Sequence, residues 1–181
     1  PAFSKLFVRT EHLAEFGALI ATRRRRSPQE PEIWAAHFGV VEGELAAAPS
    51  FETDRARFIG RGRDIGGGIP AMESRPLSDS EGTVLDPIFA LRYRLAIPAG
   101  KVARVALWTL VAPSRAELLD LIDKHHDRNA YDRAKTLAWT QAQVQLRHLD
   151  VKADEAADFQ RLAAPIVYSD PRFRPSSEVI I

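Results

Sequence analysis

A chain of 181 residues with 25 basic and 24 acidic side chains, net charge +1, holds one good core or a sheet domain with an appendage, and its balanced charge argues against a nucleic-acid partner. It has no cysteine, which excludes a disulfide framework, a thiolate zinc site and a cysteine nucleophile, and suits a reducing, cytoplasmic setting. No run approaches the roughly 18 apolar residues of a membrane span, and the start at Pro1-Ala2-Phe3 is unlike a signal peptide, so no direct membrane contact is expected.

Residues 3–10 and 18–25 read as two strands joined by residues 11–17. Arg23, Arg24, Arg25 and Arg26 close the second. Extended side chains alternate between faces, so these arginines do not converge on one anion; they read as a charged strand end that blocks edge-to-edge pairing. Residues 33–41, IWAAHFGVV, are apolar on both faces, as expected of a strand held between two layers. His37 within them reads as a hydrogen-bonded core or rim histidine, since no partner follows at metal-ligand spacing. Residues 51–63, FETDRARFIGRGR, are the densest chemical cluster. Asp54 stands among Arg55, Arg57, Arg61 and Arg63, with Gly60 and Gly62 allowing the turns that gather them. Guanidinium forks with a carboxylate suit sugar hydroxyls or phosphate, which makes these five residues the substrate-binding candidates. The competing reading is an arginine-aspartate lattice that pins an irregular segment to the sheet. Gly66-Gly67-Gly68 has no lysine at phosphate-loop spacing, and residues 64–83 read as a long surface loop.

The clearest alternation lies in residues 86–111. Phe89, Leu91, Tyr93, Leu95 and Ile97 share one strand face and Arg92 and Arg94 the other. Pro98-Ala99-Gly100-Lys101 is a turn. A second strand then puts Ala103, Val105, Leu107 and Val111 opposite Arg104 and Trp108. The pattern leaves open whether the two strands pair locally or the turn carries the chain to another sheet. After Pro113 the period becomes helical. Ser114-Arg115-Ala116-Glu117 has capping-box spacing, followed by an apolar face of Leu118, Leu119, Leu121 and Ile122. His125 and His126 diverge by about 100 degrees on a helix and read as solvated residues near the negative end of its dipole, not as a chelating pair. Further helices are expected over residues 129–148 and 154–168, the last bent by Pro165 and ended at Ser169-Asp170-Pro171. No G-x-S-x-G elbow and no H-E-x-x-H motif appears, no catalytic residue is assigned in this sequence, and no metal or cofactor is expected.

Four segments together, PAFSKLFVRTE, FETDRARFIGRGR, VLDPIFALRYRLAIPAGKVARVALWT and AWTQAQVQLRHLDV followed by EAADFQRLA, resemble the cyclic β-1,2-glucan synthases. These are very large membrane-anchored bacterial proteins whose cytoplasmic domains are related to the cellobiose and chitobiose phosphorylases. The resemblance runs essentially end to end. It implies an antiparallel, supersandwich-like, incomplete β-sandwich over residues 1–112. A helical linker over residues 113–181 would lead to a catalytic (α/α) barrel outside the fragment, and that barrel would hold the catalytic carboxylates. The implied role is a non-catalytic, carbohydrate-associated piece of a glycosyltransferase or transglycosylase. It would be the cytoplasmic module of an inner-membrane-anchored protein, with the barrel as partner and β-glucan as candidate ligand. The alternative is a self-standing carbohydrate-binding or protein-interaction sandwich. The apolar end at Val179-Ile180-Ile181 and the apolar helix faces add an expectation of self-association, in keeping with a fragment cut from a longer protein.

Overall fold

The strand that reads as apolar on both faces does lie between two layers in the computed structural model, which describes residues 5–60, 69–72, 76–168 and 179. In chain order the elements are β1 (Val8–Leu13), β2 (Ala18–Arg23), β3 (Trp34–Glu42), β4 (Glu44–Asp54), the short helix α1 (Arg55–Ile59), β5 (Gly82–Thr83), β6 (Pro87–Ala96), β7 (Arg104–Ala112), α2 (Arg115–His125), α3 (Ala130–His148) and α4 (Ala153–Val167). All pairings are antiparallel. One sheet has the order β5-β1-β2-β3-β7 and a second consists of β4 and β6. The supersandwich-like architecture followed by helices therefore stands, with two antiparallel sheets and four helices among the described residues.

The turn after β6 carries the chain from the small sheet to the large one, which resolves the alternative that the alternation left open. β6 pairs with β4, and β7 pairs with β3 from Trp34↔Ala112 to Glu42↔Arg104. Alternation in β3 then serves both layers. Ala36 and Phe38 join Leu13, Ala18, Ile20, Ala112, Leu118 and Ile122 in the main core beneath α2, while His37 and Gly39 face the small sheet, meeting Phe89 and Tyr93. Helix α2 begins as its spacing implies. Ser114 Oγ accepts from Glu117 N at 3.2 Å and donates to Glu117 Oε1 at 3.1 Å, and Leu118 and Ile122, a turn apart, are fully buried. Contacts divide the chain into a unit through Tyr131 and another from Asp132 onward. The change of period near Pro113 falls inside the first unit, because α2 supplies part of its core.

Several local expectations are corrected. β1 occupies Val8–Leu13 rather than residues 3–10. Its hairpin is a tight turn over Ala14–Gly17 in which Phe16 N donates to Leu13 O, and Gly17 sits at φ +55°, where a side chain would be strained. β2 is an internal strand, so its arginines guard no edge; Arg23 pairs with Glu30, which also accepts from Arg26 N at 2.6 Å. His125 and His126 are not simply solvated. His125 lies against Trp108 with ring centroids 4.8 Å apart, and His126 reaches Phe16 O at 3.1 Å.

In the second unit, α3 ends with Asp150 at φ +52° and Val151 N donating to Leu146 O at 2.9 Å, a left-handed cap made by aspartate where glycine is commoner. Helix α4 starts with Lys152 N donating to Glu155 Oε2 at 2.9 Å, with Asp154 and Glu155 in its first turn. It continues past Pro165 to Val167, and residues 169–171, expected to end it, lie outside the described residues.

Candidate functional site

Asp54, the centre of the sequence cluster, closes β4 and caps α1: its Oδ1 accepts from Ala56 N at 2.9 Å. An aspartate at that place relieves a helix donor that has no partner within the helix. The surrounding arginines do not converge on it. Arg57 Nε stands 3.8 Å from Asp54 Oδ2 while its Nη1 donates to Ser78 Oγ at 3.3 Å. Arg55 turns instead to Asp86, 3.6 Å away, which also holds Lys5 Nζ at 2.8 Å. The Lys5 hydrogen bond is the main reason that the Asp86 carboxyl lies below its ordinary value; burial opposes it and Arg55 adds to it. Arg61 and Arg63 lie outside the described residues, as does the Gly66-Gly67-Gly68 loop.

The residue that organises this region is Glu52, which the sequence reading passed over. It is 2% exposed. Its Oε1 accepts from Thr53 N and Asp54 N, both at 3.0 Å, and from Ser80 Oγ, and its Oε2 accepts from Ser78 Oγ at 2.5 Å. Burial alone would raise the carboxyl, but these donors outweigh it and hold the group below its ordinary value, hence ionised. Nothing in the residue pattern marks Glu52 out in a strand that also holds Glu44, Ser50, Thr53 and Asp54, and nothing in the spacing says that a loop some 26 positions away folds back onto it. Residues 76–81 are thus not a free surface loop: they wrap Glu52 and lead into edge strand β5. Ile69 and Ala71 are buried with Ile59, and Arg92 Nη1 donates to Ala71 O at 2.8 Å.

On the opposite face of β4 and β6, a cleft of about 660 Å³ opens between the two sheets, lined among others by His12, Leu45, Phe51, Leu91, Tyr93 and Asp79. His12 stacks on Phe51 with centroids 4.3 Å apart. Asp79, at φ +50°, exchanges two bonds with Phe51, donating N to O at 3.0 Å and accepting on Oδ1 at 2.7 Å. Tyr93 crosses the gap so that its hydroxyl accepts from Gly39 N at 3.0 Å, and burial raises its phenol. His37, paired with Thr109 at 3.0 Å and stacked with Phe89, behaves as the rim histidine expected; burial lowers its imidazole, offset in part by the Trp108 backbone. Among the described residues no three His, Asp or Glu side chains are grouped to hold a metal ion. Trp34 and Trp108 pack against the core under α2, and Trp139 stands exposed on α3.

The antiparallel two-sheet architecture agrees with the match of residues 1–128 to the family described as glycosyl hydrolase 94, supersandwich domain. The chain belongs to that family. Over 180 residues it is also 36% identical to the cyclic beta-(1,2)-glucan synthase NdvB of Rhizobium meliloti (strain 1021), an alignment that takes in 99% of this chain and 6% of that protein. The chain thus spans only a small part of the curated relative it matches, and its similarity to such a synthase, expected from the four segments, is established. No helix among the described residues is long and apolar enough to cross a membrane.

Proposed function

We propose that this chain is a non-catalytic, carbohydrate-associated part of a cyclic β-1,2-glucan synthase, supporting or lining a glucan site that an (α/α) barrel beyond these residues completes. The observation that carries the reading is the 36% identity sustained over 99% of the chain. The buried carboxylate supports it: a general acid for glycosidic cleavage needs a raised pKa, whereas Glu52 is lowered and fully occupied by donors. In this reading the inter-sheet cleft, with the His12/Phe51 stack, the Tyr93 phenol and the Asp79 carboxylate, offers an apolar floor and polar rim of the kind that takes a sugar ring. Asp54, Arg55, Arg57, Arg61 and Arg63 stand as further candidates for glucan contact, and the parent protein would be an inner-membrane-anchored glycosyltransferase with this module in the cytoplasm.

The test is turnover. The isolated chain incubated with β-1,2-glucan is expected to give neither cleavage nor transfer, while the parent polypeptide is active. Turnover by the isolated chain that disappears on replacing one of its own carboxylates would overturn the proposal.

A further inference from the structure

Consecutive arginines alternate between faces within a strand, but β1 supplies a neighbour for one of them. The register sets Arg9 against Thr22, and just past the end of β2 Arg24 N donates to Phe7 O at 3.0 Å, so Phe7, Arg9, Thr22 and Arg24 share one face of the large sheet. With Arg23, Arg25 and Glu32 they line a hollow of about 270 Å³. Its walls are held in place. Glu30 pairs with Arg23, accepts from Arg26 N and donates its own N to Ser27 O at 3.2 Å, which ties down the segment after β2. Glu32 Oε1 accepts from Trp34 Nε1 at 2.6 Å, and Trp34 packs on the main core. Among the described residues the guanidiniums of Arg9, Arg24 and Arg25 meet no carboxylate, although the chain carries nearly as many acids as bases. Arg25 also borders a hollow on the other side of β2, so Arg9 and Arg24 are the central pair. Three such cations against the single carboxylate of Glu32 leave two positive charges, which a phosphate dianion matches.

We propose that this hollow binds a small soluble phosphate monoester that carries hydroxyl groups, of the sugar-phosphate class. The site uses neither Glu52 nor the residues of the inter-sheet cleft, and it does not depend on the glucan reading. Guanidinium forks match phosphate oxygens in pairs, and an anion between Arg9 and Arg24 offsets the repulsion of like charges on neighbouring strands. The rest of the hollow selects what the phosphate is attached to. Glu32 Oε2, which has no partner among the described residues, accepts from a ligand hydroxyl, and the exposed Phe7 ring offers an apolar face for the carbon skeleton. The volume lies just under the roughly 300–1,000 Å³ of sites for drug-sized molecules, which suits one phosphate with a small substituent. A carboxylate fixed in the wall favours such a polyol ester over an anionic lipid surface, which it repels.

Calorimetric titration with glucose 6-phosphate should show saturable binding at one site, with inorganic phosphate about tenfold weaker and glucose alone giving no signal. Arg9→Gln and Arg24→Gln should each weaken binding of the ester by about tenfold or more. Glu32→Gln should strengthen inorganic phosphate more than the ester, and so shrink the preference between them. Arg161→Gln on α4 removes the same charge elsewhere and should leave binding unchanged; the urea midpoint of each variant without ligand checks that it folds as the wild type does. No saturable binding of the ester to the wild-type chain would overturn the proposal. So would an equal loss in Arg161→Gln, which means a general charge effect. Sedimentation with vesicles of phosphatidylcholine and phosphatidylglycerol tests the other source of phosphate. Vesicle binding that needs Arg9 and Arg24, without binding of the soluble ester, would make a lipid headgroup the ligand and overturn the proposal too. None of these readouts involves glucan turnover, so failure of the proposed activity and failure of this site are told apart.

Discussion

Replacing Glu52 separates a structural carboxylate from a reactive one. In Glu52→Ala the amides of Thr53 and Asp54 lose their shared acceptor in a site that is 2% exposed, while the hydroxyls of Ser78 and Ser80 are free to turn elsewhere. A stranded buried donor costs about 1–3 kcal/mol; Thr53 N keeps a long second acceptor in Ser80 Oγ at 3.4 Å, so the loss is set mainly by Asp54 N and should be about 1–3 kcal/mol, with the unfolding slope unchanged. Glu52→Gln keeps the volume and the Oε1 acceptor that takes the two amides and Ser80. It substitutes an NH₂ for Oε2, toward which Ser78 can rotate to accept, and should cost about 1 kcal/mol near neutral pH. The pH dependence follows in sign from the lowered carboxyl. A group whose folded pKa lies below its unfolded one contributes stability that is fully present above the unfolded value, ordinarily 4.5 here, and lost as pH falls through the folded value. The gap between wild type and Glu52→Gln should therefore be constant near neutrality and shrink at acid pH. Urea denaturation of both proteins from pH 7 downward measures it. An unchanged midpoint for Glu52→Ala, or a Gln gap that grows as pH falls, would refute the account.

Asp54→Ala should cost about 1 kcal/mol, the loss of a helix cap, rather than the roughly 2–4 kcal/mol expected of a broken buried lattice; the denaturation midpoint distinguishes them. Gly39→Ala should destabilise by about 1–3 kcal/mol, because a Cβ there would come within 2.7 Å of the Tyr93 ring and hydroxyl, and Gly39→Ala combined with Tyr93→Leu should recover part of the loss; an additive double variant would show that the two sheets are not held at this point. On α4, Phe159, Leu162 and Ile166 form an exposed apolar stripe that should drive self-association of the isolated chain at high concentration, so Phe159→Asp should lower the apparent mass in light scattering; the same concentration dependence in both proteins would remove α4 as the cause.

Local rules carried much of this molecule. The two-sided apolar run of β3, the alternation in β6 and β7, the Ser114-Glu117 box at the start of α2 and the helical period beyond Pro113 were readable because each depends on neighbours within a turn or a strand, where the backbone's own periodicity dictates which side chains share a face. The cluster around Asp54 was also visible, yet its meaning was not. Which guanidinium meets which carboxylate depends on Asp86 and Ser78, brought in by a distant loop, so Arg55 left the cluster and Asp54 became a cap. Glu52 was silent for the same reason, since one more carboxylate in a charged chain gains its significance from four donors, two of them on residues 78 and 80. The crossing after Pro98 shows the division most plainly: the turn residues permitted either a hairpin or a change of sheet, and the choice fell to long-range packing. With β6 against β4 and β7 against β3, Tyr93 reaches Gly39 and α2 closes over Phe38, contacts that no local pattern encodes because they exist only once both sheets are in place.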